Sequence, residues 1–62
     1  MKTFTIYMEG TTYGCKQYEI STEISKENAI EVYEQTEKLA NRVGKTCWLV
    51  DNDTDEIIRY NY

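Results

Sequence analysis

The fold of this chain is decided by one stretch, ISKENAIEVYEQTEKLANRVG at residues 24–44. Ser25 suits the N-cap of a helix, Glu27 complements the positive end of the helix dipole, and Gly44 suits a left-handed C-terminal position. At about 100° per residue, one side of the helix collects Thr36 and the apolar positions around it: Ala29, Val32, Tyr33, Leu39, Ala40 and Val43. The stretch therefore predicts one amphipathic helix.

Two strand patterns precede the helix and predict a hairpin. In residues 3–9 the apolar side chains fall on every second position: Phe4, Ile6 and Met8. Residues 10–14 supply a turn with two glycines. In residues 15–22 the alternation resumes and places three side chains on a common face: Tyr18, Ile20 and Thr22.

Two further strand patterns follow the helix. Residues 46–50 contain four consecutive apolar side chains, beginning at Cys47, which is typical of a strand covered on both faces. Residues 51–55 are turn formers. Residues 56–62 alternate again, with Ile57 on one side and three side chains on the other: Ile58, Tyr60 and Tyr62. The predicted fold is α+β, of ββαββ order, a four-stranded antiparallel sheet with one helix packed on one face.

The composition limits this fold to one small domain, residues 1–62. Only 12 of the 62 residues are Leu, Ile, Val or Phe, and the net charge is −4. These apolar side chains suffice for one thin core, so a deep cleft with a buried active site is not expected. No apolar run approaches the roughly 18 residues of a membrane span, and no signal peptide is expected.

The residue types that are missing exclude much chemistry. The chain has no His, which removes the commonest general base and the commonest metal ligand. Cys15 and Cys47 alone cannot complete a four-ligand zinc site, although zinc shared between two copies stays open. The two thiols are expected to be reduced and buried, with a disulfide as the alternative. We therefore expect no enzymatic activity, no cofactor and no metal.

The acidic turn matches a calcium-binding loop only in part. Asp51, Asp53 and Asp55 fit the first three liganding positions of an EF-hand loop. Glu56 stands where that loop needs Gly, and Tyr62 stands where it needs a bidentate Glu. A hairpin turn is therefore the better explanation, with weak calcium binding as the alternative.

Two groups of residues are candidates for binding a protein partner. The first is acidic and comes from the outer helix side and the turn: Glu27, Glu31, Glu34, Asp51, Asp53 and Asp55. Glutamates one helical turn apart, about 5.4 Å, approximate the spacing of phosphates along a nucleic-acid strand, so this group would suit a basic partner. A solvated helix face with a Glu34–Lys38 ion pair is the alternative.

The second group is aromatic. Tyr7 falls on the strand face opposite the expected core and Tyr13 falls in the first turn, and rings outside a core are favoured at interfaces. Because one helix covers only one sheet face, the uncovered face is expected to hold Tyr7 and one side of residues 47–50. Either Ile57 or Ile58 is expected to join them. Direct nucleic-acid binding is not expected, because the chain is acidic and has no Lys/Arg cluster.

The whole chain resembles small acidic phage and prophage proteins that inhibit bacterial defences, the anti-CRISPR families among them. The resemblance is one of architecture, carried by the opening strand at residues 2–8, the helix at 25–43 and the closing hairpin at 46–60. It implies a non-enzymatic inhibitor, in the cytoplasm of a bacterial host cell, that binds a defence nuclease or effector complex and occupies its nucleic-acid channel with acidic groups. The alternative is a homodimeric structural or regulatory module that buries its open sheet face against a second copy.

Overall fold

A computed structural model describes residues 2–10 and 17–62 of the chain. The elements follow in the order β1 (Phe4–Glu9), β2 (Gln17–Glu23), α1 (Lys26–Val43), β3 (Cys47–Asp51) and β4 (Glu56–Tyr60). The four strands form one sheet in the order β2-β1-β3-β4, and each neighbouring pair is antiparallel. The predicted α+β class, with one helix and a four-stranded antiparallel sheet, is confirmed. The predicted first turn lies, apart from Gly10, outside the described residues.

The helix connects the two strands that flank β1. Since β2 and β3 both run antiparallel to β1, they run in the same direction, and α1 returns the chain from the end of one to the start of the other. The helix caps are those that the sequence predicts. The Ser25 hydroxyl accepts a hydrogen bond from the Asn28 amide at 3.4 Å, and Gly44 ends the helix with φ of 73°.

The core lies between α1 and one face of the two central strands. Phe4, Ile6 and Met8, which alternate along β1, are buried. Cys47 and Leu49 of β3, which pair with Met8 and Ile6, are buried on the same face. From the helix, Ala29, Tyr33 and Ala40 complete the cluster. The predicted inward face of β1 is therefore confirmed, and this packing fixes which sheet face the helix covers.

The helix buries a narrower stripe than its apolar side predicts. The buried residues recur every three or four positions, at Ala29, Tyr33, Thr36 and Ala40. Leu39 and Val43, which were expected in the core, are 54% and 53% exposed. Val32 lies between these two residues on the helical wheel and still packs against the core cluster, so this flank of the helix is exposed only in its C-terminal half.

Two irregularities of register overturn the predicted sides of the edge strands. Between β1 and β2, Ile6 faces Ser21 but Tyr7 faces Glu19, so Ile20 is an extra residue. Thr22 consequently lies opposite Thr5 and not on the predicted common face with Tyr18, which lies opposite Met8. One inserted residue reverses the alternation beyond it, as in a β-bulge.

The same effect occurs between β3 and β4. Leu49 faces Arg59 but Val50 faces Ile57, which leaves Ile58 as the extra residue. Ile58 packs against the core cluster, while Ile57 shares the opposite sheet face with Tyr60, which faces Trp48. The prediction that placed Ile57 and Tyr60 on opposite sides is therefore wrong.

Candidate protein-binding surface

The sheet face opposite α1 is here called the open face. The pairing registers place on it Thr5 and Tyr7 of β1, Trp48 and Val50 of β3, and Ile57 and Tyr60 of β4. Trp48 and Val50 remain half-buried while Cys47 and Leu49, on the helix side, are buried. Within the described residues, the prediction that both faces of this strand are covered is therefore wrong. The prediction that Tyr7, one side of β3 and either Ile57 or Ile58 lie on the face opposite the helix is confirmed for the described residues, and the isoleucine is Ile57.

An aromatic band crosses the open face, formed by Tyr7, Trp48, Tyr60 and Tyr62. The rings of Tyr7 and Trp48 are stacked, with centroids 6.0 Å apart and planes inclined by 23°. The rings of Tyr60 and Tyr62 have centroids 5.0 Å apart and an inclination of 37°. Tyr60 and Tyr62 are 57% and 63% exposed. The band is therefore partly ordered by its own ring contacts and still open to a partner.

A groove of about 470 Å³ lies at one side of the band. It is lined by Thr46, Trp48, Ile57 and Tyr62. Three of these four side chains are apolar or aromatic, and the hydroxyl groups of the lining belong to Thr46 and Tyr62. A cavity of this size is at the low end of the range for ligand pockets, about 300–1,000 Å³.

The groove is held in shape by Asn61, which sequence reasoning did not single out. Its Oδ1 accepts a hydrogen bond from the Cys47 amide at 2.9 Å, and its Nδ2 donates to the Lys45 carbonyl at 3.0 Å and to Asn41 Oδ1 at 2.9 Å. The chain after β4 is thus tied to β3 and to the helix. Because neighbouring side chains point to opposite faces, this inward Asn61 directs Tyr60 and Tyr62 outward.

Two carboxylates accompany the aromatic band. Glu9 Oε1 accepts hydrogen bonds from the Thr46 amide at 3.1 Å and from the Thr46 hydroxyl at 3.4 Å. Glu19 lies opposite Tyr7 in the register and accepts a hydrogen bond from the Thr22 hydroxyl. Arg59, the one cationic residue in the described strands, lies opposite Leu49 and therefore on the helix side. The charge carried by the strands on the open face is negative.

The predicted acidic residues lie elsewhere and do not form one surface with Tyr7. Glu27, Glu31 and Glu34 are exposed on the side of α1 that faces away from the sheet. Asp53 and Asp55 are exposed in the turn between β3 and β4. This turn and the start of α1 share one end of the sheet, because Phe4 pairs with both Glu23 and Asp51. Tyr13 lies outside the described residues.

Asp51 differs from the other predicted acidic residues because it is buried. Its Oδ1 accepts a hydrogen bond from the Asp53 amide at 2.9 Å, and its Oδ2 lies 3.7 Å from Lys2 Nζ. The turn is completed by a backbone hydrogen bond from the Asp55 amide to the Asp51 carbonyl at 2.7 Å, with Asp55 at a φ of 60°. Asp51 therefore closes the turn, which corrects its predicted place among the exposed charges.

The titratable groups of the core have pKa values that keep them neutral. Burial, together with a hydrogen bond from its hydroxyl to Glu37 at 2.7 Å, raises the pKa of Tyr33 above its ordinary range. Burial also raises the pKa of the Cys47 thiol, although its hydrogen bond with Tyr33 acts in the opposite direction. A protonated, buried thiol is a poor nucleophile, so Cys47 is a packing residue. Cys15, its predicted counterpart, lies outside the described residues.

The described residues contain no group of three or more His, Cys, Asp or Glu side chains placed to hold a metal ion. The described helix is not both long enough and apolar enough to cross a membrane. No protein-family model matches the chain, and searches of curated proteins and of solved structures found no significant match.

Proposed function

We propose that this chain is a non-enzymatic protein-binding inhibitor of phage or mobile-element origin, which blocks a bacterial protein that handles nucleic acid in host defence. The observation that carries the binding role is the aromatic band on a sheet face that residues 2–10 and 17–62 leave open. The choice of target follows the resemblance to anti-CRISPR-like proteins and the acidity of the chain.

The aromatic band supports protein binding on energetic grounds. Tyr and Trp rings bury a large area while losing few rotatable bonds, and they dominate the binding energy of many interfaces. Tyr7 and Trp48 already hold each other in a stacked arrangement, so little order has to be gained on binding. Ile57, at 45% exposure, extends the apolar surface next to the band.

The outer side of the helix supports a partner that normally binds nucleic acid. Glu27, Glu31 and Glu34 are all exposed and point away from the open face. An inhibitor that docks through its sheet on one wall of a channel would turn these charges toward the opposite wall. In a basic nucleic-acid channel, carboxylates at this spacing would compete with phosphates for Lys and Arg side chains.

A phage-interference assay tests this function. The chain is expressed in bacterial strains that each carry one active nuclease-based defence, and the plaquing efficiency of a phage sensitive to that defence is measured. Restored plaquing with the wild-type chain, relative to an empty vector, is expected in at least one strain. Unchanged plaquing in every strain would contradict the proposal.

The contribution of the acidic helix side is tested in the strain that responds. The triple variant E27K/E31K/E34K is compared with wild type, after far-UV circular dichroism has shown that both are folded. Loss of interference supports acidic mimicry of nucleic acid. If the triple variant restores plaquing as well as wild type, acidic mimicry of nucleic acid is wrong, and the open face alone is the proposed binding surface.

A second candidate function is a homodimeric module, favoured by the exposed edge strand β4 beside the groove. Among the described strands β2 and β4 form the edges of the sheet, and Ile57 and Tyr60 of β4 are exposed. Light scattering over a concentration series separates the two candidates. A monomer throughout the high-micromolar range rejects the homodimer, whereas a stable dimer that masks Trp48 rejects docking of a different protein through the open face.

A further inference from the structure

We infer that the groove beside Trp48 and Tyr62 is a site for an arginine side chain of the partner protein. This inference rests on the proposed function and adds the chemistry by which the partner is recognised. It draws on the aromatic walls of the groove, on the carboxylates near it, and on the sign of the charge across the open face.

The walls of the groove suit a planar cation. Trp48 and Tyr62 both line it, and Trp offers the strongest attraction that an aromatic face gives to a cation. A guanidinium group is planar, stacks on aromatic rings and gives up its hydration more readily than an ammonium group. Ile57 supplies an apolar wall for the methylene groups that precede the guanidinium.

The Glu9 carboxylate is hydrogen-bonded to a residue that lines the groove. Thr46 lines the groove and donates both its amide and its hydroxyl to Glu9 Oε1, at 3.1 and 3.4 Å. Both of these hydrogen bonds end on Oε1, and the carboxylate has a second oxygen that can accept from a guanidinium N–H. Carboxylate pairing combined with ring stacking distinguishes arginine from a purely apolar side chain.

The negative charge of the open face also favours an arginine side chain. Glu9 and Glu19 are its charged strand residues, and the whole chain carries a net charge of −4. A nucleic-acid strand would bring phosphates against these carboxylates, so base stacking on the band is disfavoured. If a second copy docked on the open face, the carboxylates of the two copies would repel each other. A basic protein surface is the complementary partner.

The single tryptophan makes the site directly observable. Trp48 is the only Trp of the chain, so its fluorescence reports on the groove without interference from another indole. The probe is an end-blocked tri-arginine peptide at physiological ionic strength, with tri-lysine and tri-glutamate peptides as comparisons. We expect a saturable change with tri-arginine, a weaker one with tri-lysine and none with tri-glutamate.

Matched variants separate the groove from general attraction of a cation to an acidic chain. Glu9→Gln retains an oxygen that can accept from Thr46 but removes the charge, and Tyr62→Ala removes one wall. Each is expected to weaken tri-arginine binding by about 2- to 5-fold, the fold-change that corresponds to an exposed ion pair for Glu9 and to an exposed cation–π contact for Tyr62. Glu23→Gln removes the same charge from the helix side of edge strand β2, where Glu23 pairs with Phe4, and should leave binding unchanged.

The arginine site is overturned by the absence of a saturable change with tri-arginine, by an equal response to tri-glutamate, or by an equal loss from Glu23→Gln and Glu9→Gln. A concentration-dependent dimer that excludes tri-arginine would assign the groove to a second copy. If the peptide fails to bind while the wild-type chain still restores plaquing, the arginine site is wrong and the proposed inhibitor function stands. If the peptide binds but the wild-type chain restores plaquing in no strain, the arginine site stands and the proposed inhibitor function is wrong.

Discussion

Tyr7 and Trp48 lie directly opposite each other on the two central strands, and their rings stack at 6.0 Å on the face that the helix leaves open. Both residues are half-buried. Residues paired across antiparallel strands contribute to the stability of the sheet itself. The same pair therefore has two roles, since it stabilises the sheet and forms the centre of the surface proposed for binding.

The stability role is tested with a double-mutant cycle of Tyr7→Ala and Trp48→Ala. Because the rings contact each other, we expect a coupling of about 0.5–1.5 kcal/mol beyond the sum of the single effects. Urea unfolding followed by far-UV circular dichroism measures it without relying on the deleted indole. Additive losses would mean that the two rings do not stack in solution.

Leu49 and Val50 are neighbours on β3 that face opposite sides of the sheet, which makes them a matched pair. Leu49 is fully buried under the helix and Val50 is half-buried on the open face. Leu49→Ala should cost about 2–5 kcal/mol of unfolding free energy, and Val50→Ala clearly less. The measurement is again urea unfolding. Equal losses would contradict the assignment of α1 to the Leu49 side.

Gly44 ends the helix with φ of 73°, where an added Cβ would meet no atom within 4 Å. The cost of Gly44→Ala is therefore one of backbone conformation and should be about 1 kcal/mol. Gly44→Asn should cost less, since Asn tolerates the left-handed region. Thermal unfolding of the two variants checks this order, and an unperturbed Gly44→Ala would show that the helix does not end with a left-handed residue.

Alkaline pH should destabilise the protein through its buried Cys47 and Tyr33. Their ordinary pKa values are 9.0 and 10.0, and in the folded chain both are raised. Above these ordinary values the unfolded chain binds fewer protons than the folded chain, so the stabilisation present at lower pH is progressively lost. Each group that ionises only in the unfolded state contributes a slope of about −1.36 kcal/mol per pH unit.

Tyr33→Phe tests the tyrosine contribution to this slope. The variant should show a shallower decline of unfolding free energy above pH 10 than the wild type, as measured by urea unfolding at several pH values. Tyr60→Phe, which removes an exposed phenol, is the matched control and should decline as the wild type does. Identical slopes for Tyr33→Phe and the wild type would show that Tyr33 is not buried.

The helix, its two caps and the inward face of β1 could be predicted from the sequence because each depends on local pattern. Ser25, Gly44 and the alternation around Ile6 act through neighbours close in the chain. The open face was predictable from a count of layers, since one helix cannot cover two faces. These features place Tyr7 correctly.

The sides of the edge strands could not be predicted in the same way. The extra residues Ile20 and Ile58 are apolar and leave the alternating pattern intact, so only the paired strand reveals the shift. The burial of Asp51 depends on Lys2 and on the turn amides, and the position of the groove depends on Asn61 contacts to residues far away in the chain. Such tertiary contacts have no local signature.

The docking role of the open face is tested most directly by the interference assay with Tyr60→Ser. Tyr60 is 57% exposed on the open face, and Leu39, at 54% on the helix, gives the matched control Leu39→Ser. If the open face binds the partner, Tyr60→Ser should reduce restored plaquing by about tenfold or more, since an aromatic hot-spot contact is worth about 2 kcal/mol, while Leu39→Ser retains it. Full activity of a folded Tyr60→Ser, with loss in Leu39→Ser, would contradict binding through the sheet.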